Sequence, residues 1–264
     1  MAHSHKHAGV RAIDAFAYAS GLNGWNPTFK VVLSVSTILV CLAADCVPVS
    51  LAVILSMGAL IVRRGGLPLH DYIGLLGVPL AFLLLSGAAV AAQITSGPTG
   101  DWNLVLPWFS VCVTRASLRF ALGLTLKALG AVSAMYLLAL STPAGELTSV
   151  LRRAHLPGIL VELMYLIYRF IFILLNTHAR MKDAAESRLG DRDFRTACRS
   201  FGQTAGNLLL IALKKSGAYY DAMTARCYDG GLAFWEEEKP FRPVQAAAAL
   251  AYWAALVVLA LAVR

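Results

Sequence analysis

Long apolar stretches broken by short polar turns run through most of this 264-residue chain, and they leave little freedom of fold. Residues 31–44, 49–62, 72–94, 117–140 and 244–263 are dominated by Leu, Val, Ala and Ile and carry almost no charge. Inside a bilayer no water pairs with backbone N–H and C=O groups, so a spanning segment must satisfy them itself, which an α-helix does. A composition of 58% hydrophobic and 14% charged residues leaves too little polar surface for a soluble domain. The expectation is an all-α integral membrane protein with about five transmembrane helices. The first two stretches are roughly 15 residues each, short of the ~20 that cross a bilayer unaided, and read as a helical hairpin turning at Asp45–Pro48.

The basic residues set the orientation. Placing Lys6, Arg11 and Lys30 inside puts Arg63 and Arg64 inside as well. The loop at residues 95–104, which has no lysine or arginine, then lies outside, with Trp102 and Trp108 suited to an interface. Residues 141–242 hold more than half of the 23 lysines and arginines and fall in the cytoplasm. Arg115 and Arg119 are the exceptions, and their long stems let them snorkel to headgroups. The net charge of +8 reflects these loops, and no nucleic-acid motif accompanies it, so the partner is a lipid bilayer and not a nucleic acid. Residues 158–175 are apolar enough to be mistaken for another span. Were they to cross, Arg180, Lys182, Arg188, Arg192, Arg195 and Arg199 would lie outside and the return segment would bury Lys214 and Lys215. Glu162, Arg169, Asn176 and Asp183 instead recur every seven residues as one polar helical stripe, as in a long helix at the inner membrane surface. Three divisions result: a tail and four transmembrane helices (1–140), cytoplasmic helices (141–242) and a last transmembrane helix (243–264).

Within the cytoplasmic division, Thr142 is placed as an N-cap, Pro143 at the first helical position and Glu146 in the first turn of a short helix that stops at Pro157-Gly158. Two long helices follow. The second is amphipathic, with Phe201, Leu208 and Ala212 at the centre of its apolar stripe and expected to hold the packing of the two long helices. Each long helix ends in the same short sequence: Asp183-Ala-Ala-Glu-Ser187-Arg188, then Asp221-Ala-Met-Thr-Ala225-Arg226. Glycines follow both (Gly190; Gly230 and Gly231), so each arginine is expected at a helix C-terminus, where free carbonyl groups favour a cation. A single arginine in a last turn is commonplace. The recurrence in the one strongly charged region of a membrane protein implies a pair of exposed prongs.

Together these features resemble one family. Thr142-Pro143-x-x-Glu146-Leu147, Leu156-Pro157, Tyr168-Arg169-Phe170 and the two arginine endings look like the transmembrane T subunit of energy-coupling factor transporters. Ile13-Asp14-x-x-Ala17-Tyr18, with Trp25-Asn26-Pro27 and Lys30, is similar to its cobalt-transport branch, the CbiQ type. In that family the arginines usually sit in Ala-Arg-Gly or a close variant; here the flanks are Ser187-Arg188-Leu189 and Ala225-Arg226-Cys227. The resemblance implies a multi-pass subunit of a bacterial inner membrane that links a substrate-binding membrane subunit (CbiM type), with a small accessory one (CbiN type), to two cytoplasmic ATP-binding subunits (CbiO type). It implies crossing coupling helices whose ends, Arg188 and Arg226 with Ser187, Ala225, Asp183 and Asp221, dock on the ATPases. It also implies that ATP and magnesium are held by the ATPases and the cobalt cargo by another subunit. The same scaffold serves nickel and vitamin importers. A stand-alone secondary transporter would need inverted repeats around a midplane site, and the five unequal spans have none.

This chain has no Gly-x-x-x-x-Gly-Lys-Ser/Thr, so it is expected not to be an enzyme. The five cysteines form no Cys-x-x-Cys pair, so neither a zinc site nor a disulfide framework is expected. His3, His5 and His7 suit cobalt or nickel weakly and read better as a solvated tail. Lys127, in mid-span beside Gly123, Gly130, Ala131 and Ala134, reads as a structural pairing at a close helix contact rather than an ion path. The topology is testable by cysteine labelling: a membrane-impermeant maleimide added outside should modify a Thr99→Cys variant and miss Arg195→Cys. Labelling at 195 would mean that residues 158–175 cross the membrane.

Overall fold

The computed structural model describes residues 9–95, 102–105, 110–154, 156–231 and 239–263. His3, His5, His7, Trp108 and residues 96–101 lie outside the described residues. Among those described, the chain is overwhelmingly helical: α1 (Gly9–Ala19), α2 (Pro27–Ala44), α3 (Val47–Arg63), α4 (Leu69–Ala91), α5 (Arg115–Ser141), α6 (Ala144–Arg153), α7 (Gly158–Glu186), α8 (Phe194–Thr224) and α9 (Pro243–Val263). Five of them, α2, α4, α5, α7 and α9, are long and apolar enough to cross a membrane; the set differs from the sequence reading in including α7, which that reading keeps at the membrane surface, and in leaving α3, which it counts as a span, as a shorter apolar helix of 17 residues. Short strands β1 (Ala92–Thr95), β2 (Trp102–Val105) and β3 (Ser110–Val113) join α4 to α5 in an antiparallel sheet of order β1-β3-β2, with Ala92 opposite Val113 and Trp102 opposite the same residue. Sequence reasoning anticipated only a loop here and carried the preceding span to Ile94. The β-branched residues of Ile94-Thr95 and Val111-Cys112-Val113 favour extended pairing once the helix ends.

The chain divides into two compact units, Met1–Pro143 with Glu238–Arg264, and Ala144–Glu237. In the first, α5 is the central post, with α2, α3 and α4 packed along it. Its contact face is small: Gly130, Ser133, Ala134 and Leu137 are buried against Thr37, Cys41, Ser50, Val53 and Met57 of the α2–α3 hairpin. In lipid, where neighbouring tails are as apolar as leucine, small side chains stabilise association by letting backbones approach. A Cβ on Gly130 would come within 3.1 Å of Cys41 Sγ, whereas one on Gly123 would meet nothing. The hairpin is pinned to the post at two levels. Lys30, 3% exposed, donates from Nζ to Ser141 O at 2.6 Å, where the C-terminal carbonyls of α5 welcome a cation. Lys127, halfway along α5, forms an ion pair with Asp45. Asp45 caps α2 in the left-handed region at φ 49°, so the mid-span lysine meets the hairpin turn.

The Trp25-Asn26-Pro27 stretch starts α2: Asn26 Oδ1 accepts from Thr28 N at 3.0 Å and Pro27 occupies the first turn, where its missing N–H costs nothing. The Thr142-Pro143 step differs from expectation by one residue, because Thr142 is the C-cap of α5, Pro143 is buried, and α6 begins at Ala144. Gly130→Leu should destabilise the protein by about 1–3 kcal/mol through overpacking, read as a lower melting temperature in detergent. Gly123→Ala should leave it unchanged or raise it.

Candidate functional site

In the second unit, α6 packs on α7 and α7 on α8. The last two run antiparallel. Tyr228, just past α8, donates its hydroxyl to Glu162 Oε2 near the start of α7 at 3.2 Å. Midway, Tyr219 packs on Phe170 (5.1 Å between ring centroids) and lies 5.0 Å beneath the Arg169 guanidinium. At the far end, a Cβ on Gly190 would sit 2.9 Å from Ser200 Oγ. Glu162 and Arg169, the first two members of the seven-residue stripe, thus face α8, as does Phe170 of the Tyr168-Arg169-Phe170 motif. Desolvation, and then the Glu162 carboxylate, push the Tyr228 phenol above its usual pKa.

Reversed directions put the two arginines at opposite ends of the helix pair. From the level of Ser200 to Arg226 the separation is roughly 40 Å at 1.5 Å per residue. Each arginine leaves its helix by the same route. In the first arm Ser187 N donates to Asp183 O (3.0 Å), Arg188 N to Ala185 O (3.1 Å), Leu189 N to Glu186 O (3.0 Å) and Gly190 N back to Ala185 O (2.8 Å). In the second, Ala225 N donates to Asp221 O (2.9 Å), Arg226 N to Met223 O (2.9 Å), Cys227 N to Thr224 O (3.0 Å) and Tyr228 N to Met223 O (3.1 Å). Both arms are Schellman caps, in which carbonyls left open by the helix accept from the next two residues. Asp183 and Asp221 each supply the first accepting carbonyl. Ser187 Oγ adds a bond to Asp183 O at 2.7 Å; Ala225 has no such group.

The left-handed residue that such a cap requires is the one after each arginine, Leu189 at φ 57° and Cys227 at φ 61°, and not the glycines suggested by the sequence. Side chains there cost about 1–2 kcal/mol, which explains why glycine commonly follows the arginine in the motif these endings resemble. Gly190 is needed for a different reason: a Cβ would press on Ala185 O at 2.8 Å as well as on Ser200. Arg188 and Arg226 are exposed, and among the described residues neither guanidinium has a hydrogen bond or ion pair. Arg188 opens on a groove of about 390 Å³ between the end of α7 and the start of α8, shared with Met181, Arg199, Ser200, Gln203 and Asn207. Arg199 was not singled out by sequence; its signal was one charged position off the apolar stripe of α8. Along that stripe Phe201 is 71% exposed, while Leu208 and Ala212 are half-buried. Among the described residues no three His, Cys, Asp or Glu side chains gather as a metal site.

Comparison with known proteins adds a family. The model of the cobalt transport protein family CbiQ matches residues 19–238. The chain is 31% identical to an uncharacterised protein of Methanocaldococcus jannaschii over 83% of its own length and 81% of the other's. It is 32% identical to a cobalt transport protein CbiQ of Rhodobacter capsulatus over 62% of each chain. A putative fused cobalt transport protein CbiMQ of Methanocorpusculum labreanum is 30% identical, over 89% of this chain and 39% of the longer fused one. Leu189→Gly and Cys227→Gly should each raise stability by up to about 1 kcal/mol, as relief of the left-handed strain outweighs the entropy of glycine. Thermal unfolding in detergent measures the change; a lower melting temperature for both would contradict the cap geometry.

Proposed function

The chain belongs to the CbiQ cobalt transport protein family, and from that premise we propose that it is the coupling subunit of an ATP-driven energy-coupling factor importer for cobalt. The observation that carries this reading is the pair of matching helix ends, each delivering an exposed arginine that has no partner among the described residues, at opposite ends of one antiparallel helix pair. Two identical grips about 40 Å apart suit two copies of one partner. In the proposed assembly Arg188 docks on one cytoplasmic ATP-binding subunit and Arg226 on the other. The guanidinium's five donors in a rigid fork engage carboxylates and helix-end carbonyls together, and keep their geometry while the partner moves. Because the Schellman bonds tie each arginine's backbone to its helix, a pull enters the helix axis instead of being absorbed by a loop. ATP and magnesium belong to those partners, whose closure moves the helix pair. That motion tips a CbiM-type substrate-binding subunit, which releases cobalt inward; the fused relative named CbiMQ favours such a neighbour.

In this reading α7, although long and apolar enough to cross a membrane, lies with α6 and α8 at the cytoplasmic face of the inner membrane. The test is ATP-driven cobalt uptake in vesicles beside pull-down of the ATPase. Arg188→Ala or Arg226→Ala alone should lower uptake several-fold with modest loss of complex. The double alanine variant should lose at least tenfold or hydrolyse ATP without transport, its melting temperature being unchanged since both side chains are exposed and neither guanidinium has a hydrogen bond or ion pair among the described residues. Lysine at both positions should restore uptake only in part. Wild-type uptake and assembly by the double alanine variant would reduce the arginines to helix caps.

A further inference from the structure

The first unit contains a cavity of about 700 Å³ that has no part in the coupling arms. It opens where three helix ends meet: the start of α2, the end of α3 and the start of α9. That corner is tied together by Asn26 Nδ2 donating to Lys239 O (2.9 Å), Lys239 Nζ donating to Asn23 O (2.5 Å), and an edge-on contact of Phe29 with Phe241. The walls are apolar, formed by Phe29, Leu33, Met57, Leu60, Ala248 and Ala249. Of the polar groups on the wall, Ser56 and Tyr252 satisfy one another through a 2.7 Å hydrogen bond. The remaining polar groups are different in kind. Arg64, the C-cap of α3, and Arg242, immediately before α9, both line the cavity and are exposed, and among the described residues neither has an ion-pair partner. Gln245, one turn into α9, has a buried side-chain oxygen with no hydrogen-bond partner.

We infer that this cavity binds one anionic phospholipid, its phosphate held by Arg64 and Arg242 and one of its two acyl chains laid along the wall from Leu60 to Leu33. Two guanidiniums on one rim demand an anion, and arginine grips phosphate oxygens bidentately. An apolar cavity of this size demands an apolar body. Of amphiphiles carrying both, a phospholipid is at hand in the membrane that surrounds α2 and α9, and basic pockets between spans are a recurrent headgroup site. The Gln245 amide, turned so that its NH2 takes the place of the unpartnered oxygen and faces the cavity, supplies a donor to the headgroup. The corner so filled is the one that fixes the start of α9 beside the hairpin, so the lipid acts as a wedge there.

The experiment is native mass spectrometry of the intact purified protein, titrated with palmitoyl-oleoyl phosphatidylglycerol or the phosphatidylcholine with the same chains. One molecule of phosphatidylglycerol should be retained and should raise the melting temperature, with phosphatidylcholine at least tenfold weaker. The Arg64→Gln/Arg242→Gln variant should lose that preference. Ala248→Trp, which fills the cavity from its exposed wall and leaves both arginines in the chain, should lower retention too, while Arg115→Gln/Arg119→Gln on α5 should behave as wild type. Glycerol phosphate at millimolar concentration should not displace the lipid, because it lacks the acyl chain. Equal retention of the two lipids, or undiminished phosphatidylglycerol binding by both the arginine pair and Ala248→Trp, overturns the proposal. So does a Leu60→Cys thiol that membranes of phosphatidylglycerol leave reactive and a co-purified membrane subunit protects, which would assign the cavity to a protein partner.

Discussion

Close packing between α5 and the α2–α3 hairpin is the contact on which the membrane unit depends. It exists because Gly130, Ser133 and Ala134 present almost no side chain, so Cys41 and Ser50 reach the backbone of α5. With no hydrophobic drive between helices in lipid, dispersion across that small-residue seam and the polar pins at its two ends carry the association. The pins are unequal in kind. Lys30 is buried against the terminal carbonyls of α5, where deleting the ammonium would orphan the acceptor it serves. Lys127 is 19% exposed and Asp45 73% exposed, so that ion pair sets the register of the hairpin turn more than it adds stability.

In the second unit, stability and availability are traded against each other. No residue of α8 is buried and only Val161 is buried on α7, so the helix pair is held by a narrow seam of aromatic and polar contacts. Its outer faces keep large apolar side chains such as Phe194 and Phe201 exposed, as expected of helices that meet a membrane surface or other subunits. Against that loosely covered background the two helix ends are closely specified, each by the same set of backbone bonds. Leu189 and Cys227 tolerate a left-handed backbone there because those bonds over-determine it, a cost characteristic of places where geometry matters more than stability.

Helical content, apolar spans and arginine-bearing helix ends were legible in the sequence because each is encoded within a turn or two of chain: a run of Leu and Val, an Asn-Pro start, an Asp-Ala-x-x-x-Arg finish. The polar stripe on α7 was also visible, but not its use, since Tyr219 and Tyr228, which meet Arg169 and Glu162, lie some fifty or more residues away in the sequence. The three strands escaped notice because four-residue segments pair only through partners elsewhere, and their composition alone is ambiguous. The glycines after the arginines pointed to the right motif and the wrong residue, because Schellman geometry is set by hydrogen bonds and not by which nearby residue would be most comfortable.

By itself, the sequence determined that this chain lives in a membrane, that most of its charge gathers in one helical segment, and that two long helices there finish on an arginine. Tertiary structure decided the rest: that α7 and α8 run in opposite directions and carry their arginines to opposite ends, that Lys127 meets Asp45 at the hairpin turn, and that Arg64 and Arg242 share one cavity. The physical reason is range. Periodicity, caps and hydropathy act over a few residues, whereas the direction of a helix and the company of a side chain are settled by contacts between segments that the sequence keeps far apart.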